Sequence, residues 1–125
     1  MKREVYISGN AGCTGPYSHA VDSGDYVYLS GQTPINPAAG EITAEGITEQ
    51  TKQSFKNLFS ILHEMGMNEG NVQKVNVYLT DMNNFDAMNA VYEQQFTAPY
   101  PARTTVGVTA LCGGALIEID LIAKK

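Results

Sequence analysis

The run Ile117-Glu118-Ile119-Asp120-Leu121 alternates apolar and acidic residues at every step. Side chains on a strand alternate between the two faces of a sheet. A strand here therefore buries Ile117, Ile119 and Leu121 and turns Glu118 and Asp120 away. Upstream, Pro101-Ala102-Arg103-Thr104-Thr105-Val106-Gly107-Val108 reads as a second strand. Its apolar pair, Val106 and Val108, is expected in the core, which puts Arg103 and Thr105 on the opposite face. Between the two lies Leu111-Cys112-Gly113-Gly114-Ala115, whose paired glycines suit a tight or slightly irregular hairpin connection. The pattern predicts neighbouring strands that display Arg103 and Glu118 together on the face away from the core.

The rest of the chain supplies the layer behind that sheet. Short strands are expected at Arg3–Ser8, Tyr26–Ser30 and Gln73–Leu79, with a short extended piece at Glu41-Ile42. Phe55, Leu58, Phe59, Leu62 and Met65 fall on one helical stripe, predicting a helix over Ile47–Met65 that Gly66 caps. A second helix is predicted over Asn84–Phe96, with Phe85, Met88, Tyr92 and Phe96 on its apolar face and Pro99 and Pro101 beyond it. Two helices cannot cover both faces of a five- or six-stranded sheet. The expected architecture is a two-layer α+β single domain over residues 1–125, with both helices on one face. The other face is expected to carry Lys74, Asn76, Tyr78, Arg103, Thr105, Glu118 and Asp120, with Leu116 among them. Such a face meets water or another subunit.

Charge and composition exclude several classes of function. The formal net charge is −5 with no cluster of Lys or Arg, which disfavours nucleic acid, because phosphate binding is driven by cationic side chains. An apolar fraction of 43% and a charged fraction of 17% are those of a soluble globular protein. No apolar run approaches the roughly 18 residues of a membrane span. The first residues lack the apolar core of a signal peptide, and the expected location is cytoplasmic. Cys13 and Cys112 lie far apart outside any CxxC and are expected to be free thiols. Together with His19 and His63 they lack metal-ligand spacing, so no metal site is expected.

Two readings of Arg103 and Glu118 stand side by side. One is a cross-strand ion pair on a solvated sheet, worth under about 1 kcal/mol. The other is a recognition site, in which the guanidinium grips a carboxylate with two prongs and Glu118 handles a proton or a water. Tyr17, set by the Gly15-Pro16 turn, is a packing aromatic or a pocket wall. Ser30-Gly31 leaves a strand, and its backbone turns the chain or holds a substrate oxygen. Asn89 borders the apolar stripe of the second helix, where polar residues are usually helix-edge hydrogen bonders. Cys112 with His63 makes a poor nucleophile pair, one on a turn and the other on an amphipathic helix.

Gly15-Pro16-Tyr17-Ser18, Ser30-Gly31-Gln32, Asn89-x-Val91-Tyr92, Pro101-Ala102-Arg103-Thr104 and Glu118-Ile119 resemble, in order and spacing, the RidA (YjgF-type) family of enamine/imine deaminases. The resemblance covers nearly the whole chain. It implies a chorismate-mutase-like α+β fold with a mixed, mainly antiparallel sheet. It also implies a homotrimer with a site at each subunit interface, and no cofactor. The implied activity is hydrolysis of 2-iminobutanoate, 2-iminopropanoate and enamines such as 2-aminoacrylate to 2-keto acids and ammonia. In that reading Arg103 binds the substrate carboxylate and Glu118 activates water. Tyr17, Ser30, Gly31 and Asn89 line the pocket, with Phe85 as an apolar wall. Thr105 stands where many members carry cysteine, Cys112 where proline is common, and His19 where glutamine is frequent. The alternatives are a non-catalytic binder of small carboxylates with a regulatory role, an RNA-cleaving or translation-inhibiting protein, and a holdase-type chaperone.

Overall fold

The computed structural model describes residues 2–9 and 15–125; Cys13 and most of the glycine-rich loop around it lie outside the described residues. Among the described residues the elements run β1 (Glu4–Tyr6), β2 (Ala20–Asp22), β3 (Tyr26–Gln32), β4 (Ile35–Asn36), β5 (Glu41–Ile42), α1 (Gly46–Glu64), β6 (Val72–Leu79), α2 (Phe85–Gln95), β7 (Ala102–Gly107) and β8 (Ile117–Lys124). Six strands form one sheet in the order β1-β2-β3-β8-β6-β7, and β4 and β5 form a separate hairpin. β6 and β7 run parallel, while the other neighbours in the large sheet are antiparallel. The fold is the expected α+β arrangement.

Helix periodicity explains α1. Phe55, Leu58, Ile61 and Leu62 are fully buried against the sheet residues Val75, Val77, Ile117 and Ile119. Burying each such side chain stabilises the fold by roughly 1.5–3 kcal/mol before entropy is counted. The helix stops at Gly66, whose φ of +79° favours a residue without Cβ, and Met67 N–H donates back to the Leu62 carbonyl. Ahead of α2, the Asp81 side chain accepts from Asn83 N–H and caps a short 3₁₀ turn that leads into the helix. Met88 and Tyr92 of α2 enter the same core as α1.

The structure corrects the hairpin expectation. β7 and β8 do not pair, because β6 lies between them. A two-residue turn could not make that step, but the stretch 108–116 is long enough to pass across the end of β6. Within it Gly113 and Gly114 both take positive φ.

The facing of β7 is corrected as well. Parallel pairing sets Arg103 beside Val75 and Thr105 beside Val77, on the helix-covered face. Val106 stands beside Tyr78 on the open face and is 40% exposed. Val108 lies past the strand, half-buried. Alternation indicates the buried side only where that side is uniformly apolar. Here α2 offers an amide and aromatic rings to a polar side chain, so the parity of this edge strand is reversed.

Candidate active site

Glu118 projects from β8 on the face opposite the helices, directly across from Tyr78 of β6. On its other side the pairing with β3 slips: Leu29 faces Leu121 but Gln32 faces Ile119, leaving Ser30 and Gly31 opposite Asp120 alone. Such a bulge re-aims side chains locally. Gly31 is required there for space. A Cβ on it would lie 2.6 Å from Glu118 Oε2, so only glycine lets the carboxylate rest on the β3 backbone. Ser30 ties in the preceding segment, donating from Oγ to the Ser18 carbonyl at 2.6 Å and from N–H to the His19 carbonyl at 3.0 Å. This holds Tyr17 at the rim, with its ring edge-on to buried His19. His19 in turn accepts from Ser8 N–H through Nδ1.

Two carboxylates on β8 have opposite surroundings. Asp120 accepts from Asn76 Nδ2 at 2.7 Å and from the Tyr78 hydroxyl at 2.8 Å. That bond holds the Tyr78 phenol up at about 12. Glu118 receives no hydrogen bond among the described residues, and burial, helped by the charge of Asp120, raises its pKa above the ordinary glutamate value. A desolvated, uncompensated carboxylate beside a compensated one marks Glu118 as the group poised to take a proton.

Glu118, Tyr17, Ser30 and Gly31 share one cleft of about 790 Å³, a size within the roughly 300–1,000 Å³ of small-molecule sites. Ile35 and Ile42 are the isoleucines of its lining, and exposed Cys112 lines it as well.

Arg103 is elsewhere. It sits on the edge strand under α2, where Nη1 donates to Asn89 Oδ1 at 2.7 Å. Its guanidinium carbon lies 4.6 Å from the centre of the Tyr92 ring and 5.6 Å from that of Phe85, close enough for both rings to stabilise the cation. No carboxylate pairs with Arg103 among the described residues. Nearby Thr105 Oγ1 and the Tyr92 hydroxyl are buried without a hydrogen-bond partner. The cross-strand ion pair is therefore ruled out within one chain. Measured along β6, Arg103 stands beside Val75 and Glu118 beside Tyr78. At about 3.3 Å per residue and about 4.8 Å per strand, their Cα atoms are about 14 Å apart. Their side chains point to opposite faces of the sheet.

The profile of the family described as endoribonuclease L-PSP matches residues 4–125. The chain belongs to this family, the YjgF/RidA family. A RutC family protein of Pyrococcus horikoshii is 42% identical over 125 residues, covering 100% of this chain and 99% of that protein. The human 2-iminobutanoate/2-iminopropanoate deaminase is 37% identical over 123 residues, 98% of this chain and 90% of that one. The crystal structure of Escherichia coli TdcF with bound serine is 36% identical, covers 98% of each chain and superposes with a TM-score of 0.91.

Within this YjgF/RidA fold the residues expected at the site fall into two groups. Glu118, Tyr17, Ser30 and Gly31 share the cleft. Arg103, Asn89 and Phe85 form a cation seat on the other side of the sheet. Tyr92, expected only as core, stacks on Arg103. The signal was present: 85, 89 and 92 share one helical stripe. Ile35, Ile42 and Asn57 of the cleft were not foreseen, because the β4–β5 hairpin and the buried edge of α1 meet only in the folded chain.

Proposed function

We propose that this YjgF/RidA protein is a hydrolase that deaminates 2-imino acids and their enamine tautomers, 2-iminobutanoate and 2-iminopropanoate among them, as a homotrimer with its sites between subunits. The observation that carries this reading is the separation of two complementary half-sites. One holds a desolvated carboxylate beside a cleft; the other holds a seated cation without a carboxylate partner. A neighbouring copy would bring its Arg103 half-site to the Glu118 half-site of the first, and a closed ring of three would complete every half-site. The names of the human and other mammalian relatives, and the serine bound in the TdcF structure, support a small 2-substituted carboxylic acid as the ligand.

The chemistry asks for little. Arg103 of a neighbouring copy grips the substrate carboxylate with two parallel hydrogen bonds, and Asn89 with the Tyr92 and Phe85 rings keeps the guanidinium in plane. C2 of the imine, already electrophilic, then lies near Glu118. The Glu118 carboxylate takes a proton from water as the water oxygen bonds to C2 of the protonated imine, whose C=N electron pair moves to nitrogen and gives a neutral carbinolamine. The carboxyl returns that proton to the nitrogen; as the C–N bond breaks, the carbinolamine hydroxyl passes its proton to Glu118 and on to the departing ammonia, so that ammonium and the 2-keto acid leave. Water is the only co-reactant, and Glu118 ends as it began. Tyr17, Ser30 and Gly31 shape the pocket, and the ligands are small molecules rather than nucleic acid or membrane.

The test is a coupled assay in which a dehydratase generates the imine in situ and keto acid release is followed with and without the protein. Acceleration over the spontaneous rate is expected, together with a trimer mass by light scattering. Binding of keto acids without acceleration would instead support the regulatory binder, and a stable monomer at micromolar concentration would remove the shared site.

A further inference from the structure

We infer that Ile35 and Ile42 of the β4–β5 hairpin determine which imino-acid side chain the cleft accepts, and that they favour aliphatic chains longer than the methyl group of 2-iminopropanoate. The inference rests on the hydrolase reading for the reaction and on its shared site for the ligand's pose; its binding component is measured without turnover.

Ile35 and Ile42 are direct partners across the hairpin, so their side chains share one face. Both are half-buried, and both line the cleft that contains Glu118. Ile42 also reaches the turn before β8: a Cβ added to Gly113 would lie 3.4 Å from Ile42 Cδ1. The hairpin thus closes the end of the cleft against residues 112–114.

This wall is held in place. Asn57 of α1, itself buried, donates from Nδ2 to the Ile35 carbonyl at 2.8 Å and to the Thr33 carbonyl at 3.3 Å. Gln53 fixes Asn57 in turn, donating to its Oδ1 at 2.9 Å. An apolar wall already anchored to a helix costs little ordering when a ligand packs against it.

Size and polarity point the same way. A three-carbon keto acid has six non-hydrogen atoms and fills on the order of 180 Å³ if each takes the room of a water. The cleft of the single chain holds about 790 Å³, and even with part of it taken up by the neighbouring copy of the shared site there is room for a longer side chain. With the carboxylate held by a cation and C2 beside Glu118, the side chain is the substituent left to meet the isoleucines. Glu41, exposed at the rim of the same cleft, disfavours an acidic side chain.

The experiment measures calorimetric binding of pyruvate and of 4-methyl-2-oxopentanoate to the wild-type protein, Ile42→Ala and the milder Ile35→Val. The wild type is expected to bind the longer acid at least about ten-fold tighter, since each buried methylene is worth about four-fold. Ile42→Ala should lose most of that preference, about five-fold or more on the longer acid, while pyruvate affinity stays within about two-fold. Ile35→Val should lose a smaller part and guards against misfolding of the alanine variant. Equal affinity of the wild type for the two acids, binding of neither, or an equal loss on both in the variants overturns the inference. Rates on leucine-derived and alanine-derived imines complete the test. Turnover without chain-length preference removes this inference and keeps the hydrolase reading. Preference without turnover does the reverse.

Discussion

Mixing two inactive variants tests whether one site is built from two chains. Arg103→Lys keeps the charge but loses the planar fork; Glu118→Gln keeps the shape but cannot take up a proton at neutral pH. Each alone should lower hydrolysis by roughly 10²-fold or more. The Cα atoms of the two residues are about 14 Å apart in one subunit, by strand rise and spacing, and their side chains leave opposite faces of the sheet. A single chain cannot bring them to one substrate. In the proposed closed head-to-tail trimer each site would take Glu118 from one subunit and Arg103 from the next. After co-refolding equal amounts of the two variants, a site is intact when an Arg103→Lys chain supplies Glu118 and a Glu118→Gln chain supplies Arg103. Random assembly makes about one site in four intact, so about a quarter of wild-type activity should return. The coupled keto acid assay reads this directly, with the same proteins mixed without refolding as the control. Activity no higher than the average of the two parents would refute the shared site.

Gly31→Ala places a methyl group 2.6 Å from Glu118 Oε2, and the flexible carboxylate must move aside. The fold should tolerate this, but turnover should fall by about ten-fold to 10²-fold, because the base is displaced from its water; unchanged turnover would show that the position of Glu118 does not matter. The raised pKa of Glu118 means that the folded chain holds a proton more tightly than the unfolded chain. That group's contribution to stability therefore falls as pH rises from 4.5 through the folded value. Glu118→Gln should accordingly be more stable than the wild type at neutral pH, with the gap closing below that window, as denaturant titrations at two pH values would show. A gap independent of pH would argue against desolvation of Glu118. Activity should fall on acidification with an apparent pKa above the usual glutamate value, and a pH–rate profile of kcat/KM checks this; a limb at the ordinary value would contradict the burial argument.

Local periodicity determined a large part of this protein. The α1 stripe, the Gly66 stop and the alternation of Ile117, Ile119 and Leu121 all held, because each depends on neighbours a few residues away along the chain. The residues of the candidate site were legible as well: the Gly15-Pro16-Tyr17, Ser30-Gly31, Arg103 and Glu118 stretches already point to a family whose profile covers residues 4–125. Only the tertiary structure decided how those residues are arranged. Strand partners are chosen by which edges remain open after distant segments have docked, so nothing in residues 101–121 announces that β6 will lie between β7 and β8. The parity of β7 depended on α2, whose Asn89 and Tyr92 make the buried side hospitable to a guanidinium. Gly31 reads as a turn of the chain or a holder of a substrate oxygen, and only the folded chain shows that β8 lays Glu118 across it. Pairing, parity and close approach are long-range properties, set by packing rather than by the spacing of residues along the chain.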